Sequence, residues 1–414
     1  MQLAANPFSD PPLGLYVHIP WCVQKCPYCD FNSHHQSGDL PESQYIEALL
    51  QDLDCERVAI KDRLLESVFI GGGTPSLFQP DSIARLLAGV AGRFEVATDV
   101  EITLEANPGT VEAGRFREFV AAGVNRISIG VQSFDDTALQ KIGRIHGCRE
   151  AVTAVETARD SGASQVNLDL MYALPGQTPV AAAQDLHQAF SLGPDHISWY
   201  QLTLEPNTAF YRHPPVLPDA DQSWAIQQIG QRLLAKSGYD RYEVSAYARP
   251  AARARHNLNY WRYGDYLGIG AGAHGKISNG PEGTVVRSIK QPHPRRYLEA
   301  FSTRPRCADL RRNPVEPRDR IFEFMLNALR LCDGFEPGLF EARTGLSLHS
   351  ITARLERAAA AGLLNVDSRR IRASEFGQRF LDDLVALFLE PGGNEPGGKC
   401  GGDPDDAILN RTKR

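Results

Sequence analysis

The stretch Tyr16–Phe31, YVHIPWCVQKCPYCDF, runs out of the first β-branched run of the chain, Leu15–Ile19. Its C-x3-C-x2-C spacing puts the thiols of Cys22, Cys26 and Cys29 on one short loop. A structural zinc site takes four protein ligands, usually from paired C-x2-C units. No second pair exists here, and only His18, His34 or His35 could complete such a site; ordinary polar or stacking roles account for those histidines more simply. Iron–sulfur cubanes are held by cysteine thiolates, usually four. Three thiolates leave one iron open, able to chelate a small molecule. Pro27 and the polar flanks make this segment a loop, which argues against three buried structural cysteines.

Working outward, apolar β-branched runs recur at Leu15–Ile19, Ser67–Ile70, Val100–Leu104, Arg126–Val131, Gln165–Met171 and His196–Thr203. Helical patterns separate them. In the first, Tyr45, Leu49 and Leu53 recur every fourth residue behind Pro41-Glu42. Others cover Ile83–Val90, Val111–Ala121, Ala151–Arg159 and Ala181–Phe190. Strands alternating with helices imply parallel pairing through right-handed crossovers. Periodicity alone does not separate an open doubly wound sheet from a barrel. Polar and glycine-rich residues gather just after the strand ends, where such folds place ligands.

The cysteine spacing at a first strand end resembles the signature of the radical S-adenosylmethionine (SAM) superfamily, and the rest of the half-chain keeps its pattern in order. Gly71-Gly72-Gly73-Thr74-Pro75 ends the second strand, where glycines allow close backbone approach to a ligand. Glu105 ends the third, Gln132 the fourth, Arg144 follows twelve residues on, and Asp169 lies in the fifth. The resemblance implies a partial (βα)6 barrel, a [4Fe–4S] cluster on Cys22, Cys26 and Cys29, and SAM on its open iron. It places Tyr16, Tyr28, Gly72, Gly73, Thr74, Glu105, Gln132, Arg144 and Asp169 around SAM.

Tyr-Val-His-Ile-Pro-x-Cys, with Gly-Val-Gln-Ser-Phe and Leu174-Pro175-Gly176-Gln177-Thr178, resembles the oxygen-independent coproporphyrinogen III oxidase family over about residues 13–390. True oxidases carry a further cysteine two residues after the last cluster ligand and a longer N-terminal extension; Phe31 stands at that position here. His256-Asn257-Leu258-Asn259-Tyr260-Trp261 is similar to the H-N-x-x-Y-W signature of the heme-chaperone branch, the HemW-like proteins. That branch binds heme and hands it to client hemoproteins such as respiratory enzymes. The resemblance makes His256 a heme ligand, because imidazole can ligate iron, with Cys55, Cys148, Cys307 and Cys332 as alternative thiolates. Tyr260 and Trp261 would stack on the porphyrin, and Gly264, Gly268, Gly270, Gly272 and Gly275 would give flexible backbone beside it. Radical decarboxylation of coproporphyrinogen is the competing reading. A homodimer and peripheral contact with membrane-bound clients stay open.

Composition sets the frame. The chain has 414 residues, 42% hydrophobic and 23% charged, as in an ordinary globular protein of more than one domain. A net charge of −6 supplies no basic field for nucleic acid. No apolar run of about 18 residues is long enough to span a membrane. Met1–Pro12 shows no secretory pattern, so a cytoplasmic location and no disulfides among the eight cysteines are expected. The barrel is expected over 1–250, a connecting segment and linker over 251–318, a mainly helical, winged-helix-like domain over 319–390, and a disordered tail over 391–414. Arg369, Arg370 and Arg372 on the expected wing are too few to argue for DNA in an acidic protein.

Overall fold

The computed structural model of the chain describes residues 10–36, 38–57, 60, 63–110, 115–280, 282–302 and 311–389. Strands β1 (Leu13–Ile19), β2 (Leu65–Gly72), β3 (Val96–Ala106), β4 (Arg126–Gln132), β5 (Gln165–Tyr172) and β6 (His196–Gln201) pair in that order, all parallel. Helices Glu42–Arg57, Pro80–Ala91, Arg115–Ala121, Cys148–Arg159 and Pro179–Leu192 lie in the crossovers. Their ends follow local chemistry: Thr178 caps Ala181 N–H, and Gly193 closes the same helix in the left-handed region.

Strand alternation sorts the side chains. Leu15, Val17, Ile70, Leu104, Ile129 and Leu168 are fully buried in one core with the helices. The alternate positions carry polar and aromatic groups that meet one another inside the barrel. Arg126 lies 4.0 Å from Glu101. His196 Nδ1 is 2.5 Å from Asn167 Oδ1, and Asn167 Nδ2 donates to Ser128 Oγ at 2.7 Å and to Asp169 Oδ1 at 2.8 Å. The wall of the barrel is thus apolar outside and hydrogen-bonding inside.

The sheet continues past both ends of this set to twelve strands. Strands β7 (Asp240–Arg241) and β8 (Ala246–Ala248) run antiparallel beyond β6. The stretch 251–318, expected as a connecting segment and linker, contributes strands to the sheet. In it β9 (Asp265–Ile269) pairs parallel with β1, and β10 (His274–Asn279), β11 (Thr284–Ile289) and β12 (Arg311–Pro314) follow antiparallel. Its glycines serve close packing: a Cβ on Gly268 would lie 1.9 Å from the His274 carbonyl oxygen. Lys276 and Arg63, each at 2.8 Å, neutralise the buried Asp265 carboxylate between β9 and β10.

The C-terminal part has its own core, with Phe324, Phe335, Phe340, Leu355, Ile371 and Phe388 at its centre. Helices Pro317–Ala328, Pro337–Thr344 and Thr352–Ala360 lead to a hairpin of β13 (Leu364–Val366) and β14 (Ile371–Ala373), then to short helices Glu375–Arg379 and Leu381–Ala386. This is the expected winged-helix-like arrangement. The tail 391–414 lies outside the described residues. Cys55 is disulfide-bonded, which corrects the expectation of no disulfides. Among the described residues no helix is long and apolar enough to cross a membrane.

Candidate functional site

The loop after β1 folds back through a two-residue parallel ladder, in which Trp21 pairs with His34 and Cys22 with His35. Cys29 N–H closes a turn onto the Cys26 carbonyl at 3.1 Å. These contacts set Cys22, Cys26 and Cys29 on one side of a cavity of about 270 Å³. Burial pushes the Cys22 and Cys29 thiols up, and each is raised further by charge on its cysteine neighbours. A metal that binds them as thiolates therefore displaces protons.

The opposite wall comes from the strand ends. Gly72 (φ 120) turns the chain at the end of β2, Gly73 N–H donates to the Ile19 carbonyl at 2.7 Å, and Thr74 N–H to the Trp21 carbonyl at 2.8 Å. A Cβ on Gly73 would stand 2.5 Å from the Trp21 carbonyl oxygen and 3.0 Å from Cys22 Sγ, so only glycine fits between this strand end and the cysteine loop. Gln132, in the left-handed region at φ 70, turns its amide into the cavity and accepts from Tyr200 hydroxyl at 2.7 Å. Arg144 reaches across to the loop: Nη1 lies 3.5 Å from Cys26 Sγ and Nη2 donates to the Gly130 carbonyl at 2.6 Å. Its Nε is buried without a partner.

Two carboxylates complete the cavity. Glu105 accepts from Gly72 N–H at 3.0 Å, and Asp169 accepts from Asn167 and, at 3.3 Å, from Ser128 hydroxyl. Burial raises the Glu105 carboxyl to about 8, and the charge of Asp169 raises it further in the same direction. Asp169 is raised as well, chiefly by burial. Two buried carboxylates, one of them raised further by the charge of the other, are what a cationic ligand relieves. The residues present therefore fit SAM, which brings an ammonium and a sulfonium, with thiols beside it for a cluster.

Twelve of the thirteen residues singled out from sequence lie in or beside this cavity. Cys22, Cys26, Cys29, Tyr28, Gly72, Gly73, Thr74, Glu105, Gln132, Arg144 and Asp169 all line this one cavity. Tyr16 lies in the barrel layer next to it, where its hydroxyl is 2.9 Å from His18 Nδ1 and its pKa is raised by burial and then by Glu105. Sequence reasoning missed Ser128, Gly130 and Tyr200 on the wall. Their signal was the two-residue alternation of polar groups in β4 and β6.

His256 stands elsewhere. It opens the helix Arg255–Trp261, where its backbone N–H donates to Glu101 at 3.1 Å. Its ring stacks on Phe69 at 4.6 Å and on Tyr16 at 6.3 Å. Nδ1 is buried without a partner, and burial lowers the imidazole to about 4. The residue as a whole keeps intermediate exposure. Trp261 packs under the Arg330 guanidinium at 4.5 Å and Tyr260 against Tyr266 at 5.4 Å. Of the alternative thiolates, Cys55 is oxidised, Cys148 and Cys332 are free, and Cys307 lies outside the described residues.

Comparison with known proteins places this geometry. Residues 16–188 match the radical SAM superfamily, and residues 315–380 match the HemN C-terminal domain. The chain is 50% identical over 379 residues to the heme chaperone HemW of Escherichia coli, covering 92% of this chain and 98% of the relative. It is 51% identical to the heme chaperone HemW of Haemophilus influenzae, with the same coverage. Among solved structures, the coproporphyrinogen III oxidase HemN from Escherichia coli, a radical SAM enzyme, superposes with a TM-score of 0.77 at 25% identity, over 92% of this chain and 90% of the other. With half its residues identical over the full length of these relatives, the chain belongs to the HemW family of radical SAM proteins.

Proposed function

We propose that this protein binds heme and transfers it to client hemoproteins, with a [4Fe–4S] cluster on Cys22, Cys26 and Cys29 and SAM against Glu105 and Asp169. One observation carries the choice over the oxidase: Phe31, not a thiol, stands two residues after Cys29, 60% exposed at the mouth of the cavity. The greater identity to proteins named heme chaperones than to the oxidase supports the same reading.

The chain's own residues suit a holding role. Gly72 and Gly73 keep the strand end against the cysteine loop, so backbone can approach a ligand there. Glu105 and Asp169 supply negative charge from inside the barrel, and Arg144 sets a fixed positive charge beside Cys26 and suits a carboxylate. When bound, the cluster supplies an open iron and a source of single electrons. A cytoplasmic site of action remains part of this proposal.

SAM affinity should depend on pH through Glu105. The carboxylate attracts the ammonium and sulfonium, and the protonated acid does not. Affinity should therefore fall as pH drops below about 8, and Glu105→Gln should flatten that dependence. Calorimetric titration of SAM at several pH values checks this; a flat wild-type profile counts against the placement.

The function itself is tested with anaerobically reconstituted full-length protein. Loaded with heme, it should convert an apo-cytochrome to the holo form. Given SAM, a reductant and coproporphyrinogen III, it should make no protoporphyrinogen IX. Turnover of coproporphyrinogen at an enzyme's rate would establish the oxidase instead.

A further inference from the structure

The run His256–Trp261 reaches the cavity over the cysteines through a file of hydrogen-bonded side chains inside the barrel. Its helix starts against the N-terminal half of β3, where the Arg255 and His256 N–H groups donate to Glu101 at 3.0 and 3.1 Å. The next residue, Asn257, donates its side-chain amide to the Tyr242 hydroxyl at 3.3 Å. That hydroxyl is 2.9 Å from His196 Nε2, and His196 Nδ1 is 2.5 Å from Asn167 Oδ1. Asn167 Nδ2 ends the file on Asp169 Oδ1 at 2.8 Å. Tyr242 and His196 are each 1% exposed and Asn167 4%, so the middle of the file is closed to solvent.

The direction of every bond is fixed. A carboxylate only accepts, so Asn167 turns its NH2 to Asp169 and its carbonyl to His196. The same carbonyl accepts from the Ser198 hydroxyl at 3.2 Å. His196 Nδ1 therefore carries the proton. Burial, with the charge of Arg126 acting in the same direction, holds this imidazole well below its ordinary range, so the ring is neutral and Nε2 is an acceptor. The Tyr242 O–H then donates to Nε2 while its oxygen takes the Asn257 amide. Every donor in the file points at one carboxylate. Hydrogen bonds aligned in this way polarise one another in a low-dielectric interior, and the last of them is strengthened.

Tyr242, in the middle, is also held from the C-terminal domain. Its carbonyl accepts from Cys332 N–H at 3.0 Å, and its ring lies 5.6 Å from the Arg253 guanidinium, which pairs with Asp333 at 2.9 Å. Of the whole file only Asp169 lines the cavity.

We propose that Asn257 is a remote positioning residue for the SAM site, acting through Tyr242, His196 and Asn167 to hold the Asp169 carboxylate in place; the inference rests on the placement of SAM against Asp169 given above. The start of the helix Arg255–Trp261 and the cationic ligand are thereby coupled, although no atom of Asn257 reaches the cavity.

The test is calorimetric titration of SAM into the reconstituted full-length protein, with iron content matched between variants. Asn257→Asp keeps the shape of the side chain and turns its donor into an acceptor. It competes with His196 for the Tyr242 proton, so the donors behind Asp169 lose their alignment. SAM binding should weaken about fivefold, the scale of one hydrogen bond. The added negative charge alone would act the other way on a cationic ligand. Tyr242→Phe removes the hydroxyl at nearly constant volume and should weaken binding to a similar extent. In an Asp169→Asn protein, itself a weaker binder, neither change should have a further effect, because the carboxylate that the file serves is gone. A residue that acts only by packing would cost the same in both backgrounds. Wild-type affinity in both Asn257→Asp and Tyr242→Phe, or equal losses with and without the Asp169 carboxylate, would overturn the inference while leaving SAM where it is placed. An Asp169→Asn protein that binds SAM as tightly as wild type would instead defeat that placement, and the inference with it.

Discussion

Cys26→Ser protein, reconstituted anaerobically, will carry almost no cluster iron, where the wild type will carry close to four irons per chain, the content of a cubane. Serine matches the thiol in size but does not ionise near neutral pH, so the third ligand is lost with little change in packing. The neighbourhood sharpens the effect. Arg144 Nη1, 3.5 Å from Cys26 Sγ, stabilises negative charge on that sulfur, and its removal leaves the buried guanidinium facing a neutral hydroxyl. Cys22→Ser and Cys29→Ser should behave alike, since all three thiols line the same cavity. Cys148→Ser and Cys332→Ser should retain full iron, because those free thiols lie outside it. SAM affinity should fall with the cluster in the first set and hold in the second. Iron analysis and the visible spectrum decide the matter; full iron content in the Cys26→Ser protein would defeat the assignment of these ligands.

The readability of this fold from sequence has a physical basis in β1 to β6. Strands covered by helices on one face and by barrel contents on the other are marked by apolar runs such as Arg126–Val131 and Gln165–Met171, and all six expected runs lie on observed strands. The cavity was legible for the same reason. In a parallel barrel, residues just past the C-terminal strand ends share one mouth, so the order of Cys22, Gly73, Glu105, Gln132 and Asp169 along the chain already implies their meeting.

What escaped sequence reading is held by contacts distant in the chain. β9 joins β1 through residues separated by about 250 positions, from Leu13↔Asp265 to Val17↔Ile269. Nothing local in Asp265–Ile269 announces which strand it adds to, and its glycines read as flexibility when they permit close approach. The helix Arg255–Trp261 shows the same limit. Nothing local in His256, Tyr260 and Trp261 announces that Phe69, Tyr266 and Arg330 stand against their rings.

Lys290→Met should destabilise the fold by about 3–5 kcal/mol, the usual result of stripping the cation from buried carboxylates. Lys290 is 4% exposed and binds Asp52, at 0%, and Glu56, at 3%. Asp52 is also held by Tyr297 hydroxyl at 2.8 Å and Gly270 N–H at 3.2 Å, so the cluster ties the helix Glu42–Arg57 to the end of β9. Tyr45 extends the tie, accepting from Ala271 N–H and donating to the His18 carbonyl, each at 2.8 Å. Met keeps the apolar stem of lysine and removes only the charge. Burial already raises the Asp52 carboxyl, and Lys290 is the largest influence lowering it. Without Lys290 that carboxyl rises further above its unfolded value. The native state then holds a proton that the unfolded chain has released, so the variant loses stability as pH increases through this window and regains part of it as pH falls. The deficit against wild type should accordingly be smaller near pH 5 than near pH 8. Lys290→Met combined with Asp52→Asn and Glu56→Gln should recover much of the loss, because no uncompensated charge remains buried. Denaturant unfolding of the three proteins at both pH values is the measurement. A Lys290→Met deficit below about 1 kcal/mol, the scale of an exposed ion pair, would show that the group is not the buried tie described here.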